Sequence, residues 1–265
     1  MGSILGILFH RQVDPPEFQS QYNIPLPEQM HKSIPDETVN GRRVLVIGDV
    51  HGCLDELQEL LRQTNTTPEN TLIVFCGDVV NKGPKNIETL RFVRQLGSLV
   101  VKGNHEEHVI KEWFRYKNNG LDGLRNKYHW VQDMTQEEVD YLISLPFTIS
   151  IPCCNAIVVH AGLVPGVPLN YQQPKDMTLM RNLIEKDNLQ LEPTKVIENG
   201  LAWASYWEGP QHVYYGHDAR RKLQKRNFST GLDTGCLYGG HLSAAFANGD
   251  RTIVSVKAKN MYQKP

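Results

Sequence analysis

From Arg42 onward the chain repeats one pattern three times: a short apolar run, a polar turn containing glycine, then an amphipathic stretch. Val44-Leu45-Val46-Ile47 leads into Gly48-Asp49-Val50-His51-Gly52 and then Leu54 to Leu61. Leu72-Ile73-Val74-Phe75 leads into Gly77-Asp78 and a helical pattern over 87–96. Leu99-Val100-Val101 leads into Gly103-Asn104-His105-Glu106 and a helical pattern over 108–116. Continuous apolar runs alternating with amphipathic stretches predict a buried, mostly parallel sheet with helices on its faces. In such sheets ligands bind beyond the carboxyl ends of the strands, where each of these polar turns lies.

Further along, Thr135-Gln136-Glu137-Glu138 has the form of a capping box and predicts a helix that stops before Pro146. Ile157-Val158-Val159 runs into His160-Ala161-Gly162, and Val213-Tyr214-Tyr215 into Gly216-His217. Alternation around Asn248-Gly249-Asp250 predicts a closing hairpin over 243–257. The expected architecture is α/β: two sheets packed as a sandwich with helices outside, in one domain over 42–265. Residues 1–41 carry five prolines (Pro15, Pro16, Pro25, Pro27 and Pro35) and no sustained periodicity, which predicts an extended arm.

Composition supports a buried core, with 40% apolar and 22% charged residues. The net charge of −1 supplies no global field toward nucleic acid or an anionic membrane, so an anionic substrate must be gripped locally. Five cysteines without paired spacing read as free thiols in a reducing compartment. The apolar run 4–9 is too short for a membrane span or a signal peptide, and Gly6 stands where a myristoylation motif needs Ser or Thr. A soluble, cytoplasmic protein with no membrane association and no obligate protein partner is expected.

Five strand ends together present Asp49 and His51, Asp78, Asn104 and His105, His160, and His217. Carboxylate, imidazole and amide oxygen without thiolate are the ligand types of hard or borderline divalent metals. Asp78 can bridge two ions, with Asp49 and His51 on one and Asn104, His160 and His217 on the other. Two such ions can activate a water and neutralise a phosphoryl group attacked in line. One Gly-Asp pair or lone histidine is more often structural, but five such clusters at five strand ends are not explained that way.

These motifs, from Gly48-Asp49-Val50-His51-Gly52 through Gly77-Asp78-Val79-Val80-Asn81-Lys82-Gly83, Gly103-Asn104-His105-Glu106 and His160-Ala161-Gly162 to Gly216-His217, resemble the metallophosphoesterase signature of the phosphoprotein-phosphatase superfamily. The resemblance runs from about Val44 to His217. It implies a metallophosphoesterase-type β-sandwich with two divalent ions (Mn, Fe, Zn, Co or Mg), and His105 as proton donor to the leaving group. Where serine/threonine phosphatases carry Asp-Arg and His-Gly-Gly, this chain has Asn81-Lys82 and His160-Ala161-Gly162. The run 160–166 and Gly83-Pro84 look like bacterial diadenosine tetraphosphatases, and Lys82 resembles their eukaryotic ApaH-like relatives. Those relatives act on dinucleoside polyphosphates, RNA caps, polyphosphate or phosphoproteins.

The departures carry chemistry. An aspartate beside the catalytic histidine would hold it protonated, whereas Asn81 can orient His105 without supplying charge. Good leaving groups need that proton less, so Asn81 points to phosphoanhydrides of nucleoside polyphosphates, or an RNA 5′ end. Lys82 can grip a phosphate oxygen as a point charge. Arg181, in a helix-like stretch 177–184, falls where the family places a substrate arginine. The run from Arg220 and Arg221 to Arg226 holds five cations in seven positions, a solvated hairpin tip or a contact to distal phosphates or RNA. Trp203, Trp207, Tyr214 and Tyr215 read as core rather than base-stacking residues. The alternatives to an anhydride hydrolase are an atypical serine/threonine phosphatase and an inactive phosphate-binding scaffold, the latter set against a ligand set with no member missing.

Overall fold

The computed structural model describes residues 18, 20–187 and 190–265. The readings made on 1–17, including Pro15, Pro16 and the apolar run 4–9, lie outside the described residues. The first repeated unit forms β2 (Arg43–Ile47) and α2 (Leu54–Gln63), the second β3 (Thr71–Phe75) and α3 (Asn86–Gln95), the third β4 (Leu99–Val100) and α4 (Asn104–Asn119). Strands β2, β3 and β4 run parallel, in register from Arg43 opposite Thr71 to Ile47 opposite Phe75. The closing hairpin, β13 (His241–Phe246) and β14 (Ile253–Lys257), completes this sheet in the order β14-β13-β2-β3-β4, with β13 antiparallel to β2.

A second sheet has the order β1-β5-β6-β10-β12-β11, from β1 (His31–Ser33), β5 (Thr148–Ile151), β6 (Ala156–Val159), β10 (His212–Tyr215), β11 (Gln224–Lys225) and β12 (Ser229–Gly231). Period-two alternation decides which residues face which layer. Val44, Val46, Leu72 and Val74 point at Ile149, Ile151, Val158 and Tyr214 of the second sheet, and this is the sandwich interior. Leu45, Ile47, Ile73 and Phe75 point outward, onto Leu57, Leu60 and Leu61 of α2, Leu90 and Val93 of α3, and Val109, Ile110 and Trp113 of α4. Each such fully buried side chain contributes roughly 1.5–3 kcal/mol.

The outer face of the second sheet is covered differently from expectation. Ile157, Val159, Val213 and Tyr215 pack on Met177, Met180, Leu183 and Trp203. Among the described residues the cover is a short helix, α6 (Pro174–Leu179), and a small antiparallel sheet of β7 (Asn182–Glu185), β8 (Leu191–Thr194) and β9 (Leu201–Ala202). The helix read over 177–184 therefore ends at Leu179. Arg181 N–H donates to Thr194 O and Arg181 O accepts from Trp203 N–H, so strand pairing captures this segment.

The described part of the proline-rich arm packs against the domain. β1 pairs in parallel with β5 at the sheet edge, and Ile24, Ile34 and Val39 are buried. Gln21 Nε2 donates to Glu107 on α4, and the Tyr22 hydroxyl lies 2.7 Å from His108 Nε2. Prolines break periodicity without preventing extended chain from packing, so composition alone hides these contacts. The capping box forms as read: Thr135 Oγ1 accepts from Glu138 N–H at the start of α5 (Gln136–Ser144).

Candidate metal centre

Each candidate ligand follows a strand end directly. Asp49 and His51 follow β2, Asp78 follows β3, Asn104 and His105 open α4 just after β4, His160 follows β6 and His217 follows β10. The chain turns sharply there. His51, Asp78, Asn81, Lys82 and His217 all have left-handed backbone, with φ of 49°, 49°, 81°, 72° and 66°. Non-glycine residues cluster in that region where the surrounding fold holds them for a function. Glycines leave the room the carboxylates need: a Cβ on Gly216 would lie 1.8 Å from Asp49 Oδ1, and one on Gly103 2.2 Å from Asp78 Oδ1.

Asp78 is the centre of the arrangement. Its Oδ2 lies 3.6 Å from His51 Nε2 and 4.0 Å from His105 Nε2, and its Oδ1 lies 3.5 Å from His160 Nε2. Two triads of donor atoms, His51-Asp78-His105 and Asp78-His160-His217, each fall within 4.8 Å and share Asp78.

Hydrogen bonds to the far ring nitrogens sort the histidines. His160 Nδ1–H donates to Cys76 O at 2.8 Å, which leaves a lone pair on Nε2, 2.9 Å from Asn104 Oδ1. His217 Nε2–H donates to Leu179 O at 3.1 Å, leaving Nδ1 bare. His105 is the opposite case. Lys82 N–H donates to Asn81 Oδ1, which turns Asn81 Nδ2 onto His105 Nδ1 at 2.8 Å, so the His105 proton sits on Nε2, facing the pocket. His160 and His217 thus present lone pairs, and His105 presents a donor.

Electrostatics agree with this sorting. Asp49, Asp78, Asp233 and Glu106 are buried together. Burial, then Asp233 and Asp78, push the Asp49 carboxyl well above its ordinary range. Burial also raises Asp78, and it moves Glu106 up to about 7 with Asp78 adding to it. Desolvation holds His51 down to about 3 and His160 to about 4, so both rings are neutral near pH 7. Crowded carboxylates beside bare imidazole nitrogens form a donor set that lacks positive charge, and divalent cations fit it.

The other predicted residues divide. Asp49, His51, Asp78, Lys82, Asn104, His105, Arg181, His217 and Arg220 line one cavity of about 630 Å³. Arg181 Nη2 donates to His217 O at 3.2 Å. His160 sits behind that wall, wholly buried. The structure does not bring Arg221 to the cavity: its guanidinium bonds Asp218 Oδ2 and Asn182 Oδ1. Lys222, from the same basic run, lines the cavity in its place. Trp203, Tyr214 and Tyr215 are core residues, 2%, 0% and 2% exposed.

Sequence reasoning passed over three contributors. Glu106 accepts N–H bonds from Asp78, Val79 and Gly103, tying the turn after β3 to the start of α4. Asp233 follows β12 and lines the cavity beside Asp49. The rule used for the other five strand ends, a metal-ligand side chain within a glycine-containing turn, applies to Gly231-Leu232-Asp233-Thr234-Gly235 as well. Tyr238 lines the same cavity.

The model of the calcineurin-like phosphoesterase family matches residues 42–242, and the chain belongs to that family. It is accordingly a phosphatase-type hydrolase, and the family implies divalent metal ions. Serine/threonine-protein phosphatase 1 of Salmonella typhimurium is 28% identical over 229 residues, covering 83% of this chain and 97% of that protein. The asymmetrical bis(5′-nucleosyl)-tetraphosphatase of Oceanobacillus iheyensis is 26% identical over 241 residues, covering 83% and 94%. A crystal structure of a protein provisionally assigned as a diadenosine tetraphosphatase is 37% identical, with a TM-score of 0.77, covering 88% of this chain and 99% of that one.

Proposed function

We propose that the enzyme hydrolyses phosphoanhydrides of nucleoside polyphosphates, with dinucleoside tetraphosphates as the representative substrate and a 5′-capped RNA end as a further one. The observation that carries the reading is the Asn81–His105 pair: an uncharged amide holds the ring with its proton on Nε2, facing the cavity. A neutral imidazole is a weak acid and serves a leaving group that departs without much protonation, as a nucleotide phosphate does. The names borne by the Oceanobacillus relative and the solved neighbour support the same substrate class. The five free cysteines support a reducing, cytoplasmic setting.

Asp49, His51, Asp78, Asn104, His160 and His217 would hold two divalent ions, with Asp78 shared. When bound, these ions supply an activated water and neutralise charge on the attacked phosphoryl group. Lys82 and Arg181, which both line the cavity, grip that phosphoryl group. Arg220, with Lys222 and Lys257, which line the same cavity, holds the rest of the polyphosphate. His105 hydrogen-bonds the departing oxygen. Asn104 and His105 share the first turn of α4, so ligand and donor keep a fixed spacing.

The test is a substrate panel on metal-reconstituted enzyme. Diadenosine tetraphosphate or capped RNA should give a higher kcat/KM than phosphoserine or phosphothreonine peptides. A phosphopeptide preference of about tenfold or more, roughly 1.4 kcal/mol in transition-state stabilisation, overturns the anhydride reading and favours the activity named for the Salmonella relative.

A further inference from the structure

A dinucleotide has two chemically different parts, a polyanion and a planar base, and the cations described above serve only the first. Trp203, Tyr214 and Tyr215, read from the sequence as core rather than base-stacking residues, are in the core, and Trp207 packs partly buried against it. Among the described residues lining the cavity, Tyr238 is the one Phe, Tyr or Trp.

Its surroundings differ from those of a packed core tyrosine. Tyr238 is half-buried, and it is absent from all three hydrophobic clusters of the described residues. Among the described residues its hydroxyl reaches only Lys82 Nζ, at a long 3.4 Å, and that nitrogen lies 5.9 Å from the ring centroid. The backbone, by contrast, is pinned. Tyr238 N–H donates to Gly235 O, Gly239 N–H to Cys236 O, and the neighbouring Leu237 O accepts from Tyr262 and Gln263 N–H. Tyr262 is itself anchored to Glu56 on α2 at 2.8 Å. Beside the ring the wall is glycine: a Cβ on Gly235 would meet nothing but the Tyr238 ring, at 3.8 Å, so the space next to it is open.

We infer that Tyr238 is a stacking platform for the base of the bound nucleotide and sets the preference for nucleoside over simple polyphosphates. This rests on the proposed nucleotide substrate and names the residue that would recognise its nucleoside end. An aromatic side chain on a backbone already held in place, beside open volume, loses less entropy when a base lands on it than one on a mobile loop. Lys82 lies against the ring edge, so a phosphate held by Lys82 places its nucleoside next to Tyr238. Stacking tolerates any base, so the site should select nucleosides as a class rather than adenosine alone.

The experiment compares the affinity of metal-loaded enzyme for AMP and for ribose 5-phosphate, which differ only by the base. Wild type should bind AMP roughly 5- to 100-fold more tightly, the range base stacking on an aromatic ring supplies. Tyr238→Leu, which fills the space without a π face, should bring the ratio close to one, while Tyr238→Phe should keep it. In turnover, Tyr238→Leu should raise KM for diadenosine tetraphosphate more than it lowers kcat. An unchanged AMP ratio in Tyr238→Leu, or a ratio lost equally in Tyr238→Phe, overturns the inference. Because the affinity ratio is read without turnover, failure of the stacking platform is distinct from failure of the anhydride reading, which would show as no hydrolysis of diadenosine tetraphosphate by wild type.

Discussion

Replacing Asn81 by Asp changes one group at 2.8 Å from His105 Nδ1, an amide for a carboxylate of the same shape. The left-handed backbone at this position, φ 81°, suits Asp nearly as well as Asn, so the local fold should hold. Burial, then His51 and Lys82, keep the His105 imidazolium well below its ordinary pKa in wild type. A carboxylate with its charge about 4 Å from the ring charge would stabilise the imidazolium by about 4 kcal/mol at an effective dielectric of 20, roughly three pKa units before neighbouring cations offset part of it. His105 would then deliver a full proton, a contribution of about 10²–10⁴ where the leaving group needs one. The assay is kcat/KM for methyl phosphate and for 4-nitrophenyl phosphate in both enzymes. The ratio of methyl to nitrophenyl activity should rise about tenfold or more in Asn81→Asp. A change of both rates by the same factor refutes the reasoning, because the proton of His105 would then not be what distinguishes the substrates.

Asp78→Asn removes the carboxylate common to both donor triads, so metal content by elemental analysis and 4-nitrophenyl phosphate turnover should fall together, by orders of magnitude in activity. Near-wild-type turnover with full metal content would show that Asp78 is not shared. Gly216→Ala drives a methyl into Asp49 Oδ1, and should lower metal affinity and activity while the circular dichroism spectrum stays native; unchanged metal affinity would mean the Asp49 position is not critical. Glu107, raised from 4.5 to about 7 chiefly by burial, keeps its proton longer folded than unfolded. Stability should therefore fall as pH climbs from about 4.5 to 7 and stay lower above, and Glu107→Gln should recover about 3 kcal/mol, as an order of magnitude, at pH 8 and nothing at pH 4. Equal melting shifts at the two pH values would contradict this.

The strand–turn–helix units and five strand-end clusters were legible because a buried parallel strand must be apolar on both faces and its ligands must sit just past its end. Val44 to Ile47 followed by Asp49 states both requirements in six residues. What stayed hidden lacks that coupling of pattern to place. Glu106 looks like any acid in a first helical turn, and only the fold shows three backbone N–H groups converging on it. The helix was read from His108, where apolar periodicity begins, whereas it opens at Asn104 because Asp78 accepts from His105 N–H and Glu106 from Gly103 N–H. The small sheet after Leu179 is built from short strands, one with Pro193, which carry no period long enough to recognise. Of the run at 220–226, the cations cannot be assigned from sequence, since Arg220 and Lys222 face the cavity while Arg221 turns to Asp218.

The position of β13 bears on how the molecule comes into being on the ribosome. β2 is among the first strands made, yet one of its two partners is β13, with Ile47 opposite Ala244 at nearly the far end of the chain. Until that strand emerges, an apolar strand stands with one edge unpaired, the kind of edge that recruits other chains. His217, the last of the six ligand candidates, also emerges late, so neither a complete sheet nor a complete metal site can form on a nascent fragment. Pairing across such a separation makes folding slow and delays closure to the end of synthesis. Truncations that remove the final hairpin should therefore aggregate rather than yield a smaller folded enzyme.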